Sequence, residues 1–391
     1  MNPLEFKECA IFQYIDSQRP LDRLCEKLTA ADRIALDTEA DSLHHYYAKV
    51  CLIQLTFGEE NYIIDPLSEM DFSAFLRVLS SKTLIFHGAD YDLRMLRSSL
   101  GFRPCGEIVD TMIAAQLAGY EEFGLSALVQ RFFDVSLANL GKKTDWSKRP
   151  LSPAQLQYAC EDTHYLLPLA ERLQILLQEK GRMEWLRECC ERVLAAAAVD
   201  KPRDLDKVWR IKGVRFLDRR QLAYLREIWH WRENEAQLAD LPPFKILGNQ
   251  KMLEIVQRAT RHPDRPLREG LSLPRNCVGA RFARLEKAIR KARDLPEEEW
   301  PSLKKPQPPP VQAPNCKALI TALMTESAKI ADSLNIAPSV LATRSALTSI
   351  AHHRPQTLRD AAACSSMMRW QAEILYPSIQ RILDEESNQA L

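Results

Sequence analysis

Four short runs in the first quarter of the chain concentrate Ile, Leu, Val, Phe and Thr: RIALDTEA (33–40), VCLIQLTF (50–57), NYIIDPL (61–67) and TLIFHGA (83–89). Apolar, β-branched runs of this length bounded by polar residues predict strands. YDLRMLRSSL (91–100) and the span 153–178 instead repeat apolar residues every three to four positions, which predicts helices. Strands first, then strand–helix alternation, predict an α/β domain around a mixed sheet, over residues 1–195. Past Asp200 the strand pattern disappears. Residues 210–293 predict a helical domain, its helices running from 216 and broken at Leu241-Pro242-Pro243, Pro263 and Pro266. The stretch 296–314 holds seven prolines, too many for helix or sheet, and predicts an extended linker. A second helical domain follows over 315–391.

Composition narrows the function classes. No stretch approaches the ~18 uninterrupted apolar residues of a membrane span. MNPLEFKECAIFQYID carries acids and no basic leader region, so no signal peptide is expected and the cytoplasm is the expected location. The ten cysteines include no CxxC pair, which fits reduced thiols better than a disulfide framework or a zinc site. The net charge of +1 conceals an asymmetry: residues 201–293 carry 23 Lys+Arg against 11 Asp+Glu. A basic segment beside an acidic remainder fits a polyanion held by one part and processed by another; a solvated helical surface fits the same count.

Candidate chemistry lies in the first domain. In IALDTEAD, Asp37 and Glu39 stand two apart on a predicted strand and so share a face. HGADYDLRML places Asp92 at a strand-to-helix junction, with Asp90 the better candidate for the helix cap. In QLQYACEDTHYLLPL, Tyr158 and Asp162 are one helical turn apart on one face. Each alone is ordinary: a loop acid, a cap, a core tyrosine. Together the four carboxylates are a donor set for hard divalent cations, Mg²⁺ or Mn²⁺, and a pair of such ions can clamp a phosphodiester.

The order DTE, HGADYD, YACED resembles the tyrosine-bearing subgroup of the DEDD exonuclease superfamily, and within it the ribonuclease D family. DWSKRPLSPAQLQYACEDTHYLLPL (145–169) carries the likeness most specifically, with VCLIQLTFG, IIDPL and IVDTMIAAQLAG (108–119, its middle helix) in support. The resemblance covers residues 10–195 and implies a ribonuclease H-like mixed sheet flanked by helices. It implies metal-ligand roles for Asp37, Glu39, Asp92 and Asp162, two divalent ions, and a water-positioning role for Tyr158. FLDRRQLAYLREIWHWRENEA resembles the HRDC domain, an all-α nucleic-acid-binding module, and APSVLATRSALTSIA with MMRWQAEIL resembles a divergent second copy. The implied activity is 3′-5′ exoribonuclease action releasing nucleoside 5′-monophosphates, with transfer RNA precursors among the substrates. A DNA exonuclease of the same superfamily and a non-catalytic RNA-binding scaffold are the alternatives.

Candidate RNA contacts are Lys142, Lys143, Trp146 and Arg149 in a basic loop around an aromatic, and Arg219, Arg220, Arg226, Arg232 and Lys245 in the basic domain. His87, five residues before Asp92, fits a local hydrogen-bonding role better than catalysis, with RNA contact a further option. Without heptads or another pairing segment, a monomer is expected.

Overall fold

A computed structural model describes residues 11–138, 140, 144–199, 204, 207–303 and 316–389. Six strands make one mixed sheet: β1 (Gln13–Ile15), β2 (Arg33–Ala40), β3 (Val50–Phe57), β4 (Glu60–Ile64), β5 (Thr83–Phe86) and β6 (Ile108–Asp110). Their order is β1-β4-β3-β2-β5-β6. The central β2, β3 and β4 form an antiparallel meander; β1, β5 and β6 join in parallel at the sides. β3 is buried on both faces, so its sequence VCLIQLTF does not alternate apolar and polar residues, with only Gln54 and Thr56 polar. The three-residue β1 and β6 are too short to show periodicity. IVD is a strand, so the helix expected over 108–119 begins only at Thr111.

Eight helices complete this domain: α1 (Gln18–Thr29), α2 (Ser73–Ser80), α3 (Asp90–Leu100), α4 (Thr111–Ala118), α5 (Leu125–Phe133), α6 (Pro153–His164), α7 (Leu166–Glu179) and α8 (Met183–Ala197). The helix expected over 153–178 is two, divided at Tyr165. α6 opens on a capping box between Ser152 and Gln155 with Pro153 in the first turn, which fixes where the helix carrying Tyr158 and Asp162 begins.

The basic helical segment comprises α9 (Arg219–Ala239), α10 (Pro243–Ile246), α11 (Asn249–Arg261) and α12 (Gly279–Arg293). The last comprises α13 (Cys316–Ser333), α14 (Pro338–Leu341), α15 (Arg344–His353), α16 (Leu358–Ser365) and α17 (Arg369–Gln389). The chain divides into two compact units, and the boundary is not the linear one. The neutral C-terminal helices belong with the sheet domain, whereas Asp41–Lys49, between β2 and β3, belongs with the basic helices.

In the first unit, Trp185 of α8 stacks on Trp370 of α17 with centroids 4.4 Å apart. Arg182 donates to the Leu117 carbonyl at 2.6 Å and to the Leu334 carbonyl at 2.5 Å. Glu188 accepts from the backbone nitrogens of Arg369 and Trp370. In the second, His45 Nδ1 lies 2.7 Å from Asp240 Oδ2, and the Tyr46 and Tyr47 nitrogens donate to Asp240 Oδ1. The start of the Pro-rich stretch is packed rather than extended. Glu297–Glu299 form a 3₁₀ turn, and Arg219 donates to the Glu297 and Trp300 carbonyls. Residues 304–314 of that stretch lie outside the described residues.

Cys25, Cys105, Cys189, Cys190, Cys277, Cys316 and Cys364 carry free thiols as expected. Among the described residues no helix is long and apolar enough to cross a membrane.

Candidate active site

β2 delivers Asp37 and Glu39 to one face of the sheet, and α6 crosses β2, β3 and β4 on that face. A hydroxyl chain fixes the crossing: Thr163 Oγ1 lies 2.8 Å from Thr56 Oγ1, which donates to Asn61 Oδ1, and His164 Nδ1 is 3.1 Å from the same Asn61 oxygen. So placed, Asp162 brings a carboxylate oxygen within 4.8 Å of those of Asp37 and Glu39. Asp92 stands behind this trio: its Oδ1 accepts from Thr38, from the nitrogen at 3.1 Å and from Oγ1 at 2.6 Å. The Tyr158 hydroxyl hydrogen-bonds Asp162, one turn along α6.

The electrostatics are those of a site awaiting positive charge. Among the described residues no lysine or arginine pairs with Asp37, Glu39 or Asp162. Burial, then repulsion from Asp92, Asp162 and Glu39, holds the Asp37 carboxyl well above the ordinary range. Burial, then Asp162 and Asp92, lifts Glu39 to about 8. Asp162 is pushed to about 8 by burial and then by Glu161, against the Tyr158 hydrogen bond. Asp92 rises only to about 6, because its bonds from Thr38 oppose its burial. Burial and the neighbouring acids hold Tyr158 well above an ordinary phenol, so its hydroxyl keeps its proton. Four sheltered carboxylates, with no lysine or arginine among the described residues paired to Asp37, Glu39 or Asp162, fit a hard divalent cation, whose charge would compensate them and whose preference is for oxygen.

The sequence reading missed Asp110. Its carboxylate caps α4 by accepting from the Met112 nitrogen at 2.9 Å, and also accepts from Gly88 at 3.0 Å and Ala89 at 2.8 Å. It thereby holds the turn that launches α3 and Asp92. Gly88 sits at φ +89, a conformation other residues rarely adopt. Asp90, expected as the α3 cap, instead pairs with Arg94 one turn along, and Ala89 occupies the cap position. His87 Nδ1 lies 2.9 Å from Thr111 Oγ1, which donates to the Phe86 carbonyl, a local role for that histidine.

Two expected RNA contacts near the site are otherwise engaged. Trp146 is 5% exposed and packs against Cys51, Leu52, Ile63 and the Tyr158 ring, whose centroid is 6.1 Å away. It backs the tyrosine rather than offering a face to a base. Arg149 forks onto Asp65, Nε to Oδ2 at 2.5 Å and Nη2 to Oδ1 at 2.7 Å, and donates to the Cys51 and Trp146 carbonyls. Tyr14 completes the Asp65 shell at 2.6 Å. Arg149→Met is therefore expected to strand a mostly buried carboxylate and cost about 2–3 kcal/mol, read as a lower urea midpoint. An unchanged midpoint would return Arg149 to the pool of free cations. Lys142 and Lys143 lie outside the described residues.

In the basic unit, Arg232 is buried, not a phosphate contact; it donates to Asn249 Oδ1 at 2.7 Å and the Leu247 carbonyl. Arg219 is tied by the carbonyls named above, and Arg226 lies 3.4 Å from Glu227. Arg220 and Lys245 are exposed, with Lys245 Nζ 3.4 Å from His44 Nδ1. Part of the positive charge thus holds the unit together, as do Arg281 and Arg284 on buried Glu235.

Comparison with known proteins agrees with this geometry. The family model for 3′-5′ exonuclease matches residues 12–178, and that for the HRDC domain matches 221–265 and 317–383. Ribonuclease D of Haemophilus influenzae is 32% identical over 305 residues, 75% of each chain. Ribonuclease D of Xanthomonas oryzae is 29% identical over 373 residues, 92% of this chain and 96% of that one. Among solved structures, Escherichia coli RNase D, an exoribonuclease involved in structured RNA processing, superposes with TM-score 0.73 at 25% identity, covering 96% of this chain and 99% of that one. The catalytic core of RRP6 from Trypanosoma brucei gives TM-score 0.59 at 26% identity, covering 72% of this chain and 80% of that one. With the acid-lined sheet and both helical modules matched along most of its length, the chain belongs to the ribonuclease D family of 3′-5′ exoribonucleases.

Proposed function

We propose that this 3′-5′ exoribonuclease hydrolyses RNA with two divalent cations, Mg²⁺ or Mn²⁺, held by Asp37, Glu39, Asp92 and Asp162, and releases nucleoside 5′-monophosphates. The observation that carries the reading is the convergence of Asp37, Glu39 and Asp162 within 4.8 Å, with no lysine or arginine among the described residues paired to them. When bound, such ions stabilise developing negative charge on a phosphodiester and make water a better nucleophile. The chain's own part is positional. Thr38 orients Asp92, Asp110 fixes the turn before it, and Trp146 backs the Tyr158 ring.

Tyr158 keeps its proton, so it acts as a hydrogen-bonding guide for the attacking water and not as a general base. Tyr158→Phe keeps the ring and loses the hydroxyl; kcat should fall by about 10²-fold with little change in KM. Wild-type turnover in that variant would remove the tyrosine from the reaction.

Exposed basic side chains such as Arg220 and Lys245 would add salt-sensitive, sequence-independent affinity for the RNA backbone. Transfer RNA precursors with a free 3′ end are the substrates we assign, acted on by a monomer in the cytoplasm.

The test is a gel time course on two 5′-labelled strands of one sequence, RNA and DNA, with Mn²⁺, Mg²⁺ or EDTA. A ladder shortening from the RNA 3′ end and lost in EDTA is expected. Equal or faster shortening of DNA would favour a DNA exonuclease, and binding without shortening would favour a scaffold.

A further inference from the structure

Gln54 lies in the middle of β3, is 0% exposed, and leaves both Nε2 and Oε1 without a hydrogen-bond partner. Among the described residues no other side chain leaves two such atoms unsatisfied. Buried amides are ordinarily bonded, so an idle one calls for a reason. Its neighbours supply one. The register sets Gln54 directly opposite Asp37 on the antiparallel β2, and Ile63 is its partner on β4. Opposed residues share a face with Cβ atoms about 4.5–5.5 Å apart, within reach of a glutamine amide. Two residues along the same face, Thr56 shows how a purely structural polar group behaves here: it bonds both Asn61 and Thr163.

We propose that Gln54 is a positioning residue of the active site, its Nε2–H donating to the Asp37 carboxylate when Asp37 holds a cation. The role rests on the reading of Asp37 as a metal ligand. A carboxylate oxygen accepts a charge-assisted hydrogen bond from an amide N–H. The amide would thereby orient Asp37 in the loaded protein. Carboxylate ligands are commonly held by such outer partners, whose loss costs about 10–100-fold in metal affinity or activity.

The experiment uses the full chain and three readouts: calorimetric Mn²⁺ binding, turnover of a 5′-labelled RNA, and Tm in EDTA. Gln54→Met conserves volume and removes both unsatisfied atoms. Its Tm in EDTA should equal or exceed that of the wild type, because the unpaired polar atoms are gone. Its Kd for Mn²⁺ should rise about 10–100-fold and kcat should fall, with KM for RNA changed less than about twofold.

A wild-type Mn²⁺ Kd in Gln54→Met, whatever its Tm, overturns the proposal. Should Gln54→Met not fold, Gln54→Asn, which keeps the amide but falls short of Asp37, is expected to weaken Mn²⁺ binding in the same direction. No Mn²⁺ binding by the wild type would bring down the metal-site reading itself, and that result is distinct from a change confined to the variants.

Discussion

Asp37→Asn is expected to abolish turnover, by at least about 10³-fold or roughly 4 kcal/mol of barrier, while the metal-free protein becomes more stable. Both effects come from one feature. Asp37 is sheltered among Asp92, Asp162 and Glu39, and no lysine or arginine among the described residues pairs with it, so its charge is unfavourable without a cation and useful only when compensated. Asparagine keeps the shape and removes the charge. The Tm in EDTA should rise by about 2–4 °C for each kcal/mol of repulsion relieved, and the stabilisation that Mn²⁺ gives the wild type should be lost. RNA affinity in EDTA should stay near that of the wild type, since the basic side chains lie elsewhere. Unchanged turnover would remove Asp37 from the reaction. A fall in both turnover and Tm would identify it as a structural acid instead.

How far the sequence exposes this site depends on the range of the rule involved. Asp37 with Glu39 and Tyr158 with Asp162 are legible because strand and helix periodicity bring residues two and four apart onto one face. The family likeness supplies what those rules lack, the meeting of β2 with α6. Residues whose partners are distant were not legible. Asp65 is held by Arg149 across 84 positions, and Asp110 braces the turn before Asp92 from 21 and 22 positions away.

The same limit explains the misplaced RNA contacts. Trp146 stands among Lys142, Lys143, Lys148 and Arg149 in sequence, which looks like a stacking platform. In the fold its neighbours are Cys51, Leu52 and Ile63, which bury it. Arg232 lies on a helix buried along much of its circumference, so its guanidinium turns to Asn249 and the Leu247 carbonyl. The domain outline was legible in order but not in grouping. Nothing local in DSLHHYYAK reveals that this loop joins the basic helices through Asp240.

Cation affinity should climb steeply between pH 6 and pH 8 and level off above. Asp92 titrates near 6, Glu39 and Asp162 near 8, and Asp37 lies well above its ordinary range, so at pH 6 the empty cluster holds several protons. These carboxyls interact, so the protons leave in steps that belong to the cluster. A bound cation requires ionised carboxylates and must displace those protons. Each proton released makes the affinity about tenfold tighter per pH unit, so two give about a hundredfold.

The sign for stability runs opposite in the empty protein. Carboxyls raised in the fold bind more protons there than in the unfolded chain, so metal-free stability falls as pH rises from about 4 towards 8. Mn²⁺ should therefore add little to Tm at pH 5.5 and most at pH 8. Calorimetry in buffers of different ionisation enthalpy would count the protons directly. Zero release at pH 7, with an affinity flat from 6 to 8, would show that the empty cluster is already ionised. Its compensating charge would then have to come from the protein, and the case for Asp37, Glu39 and Asp162 as an open cation site would fail.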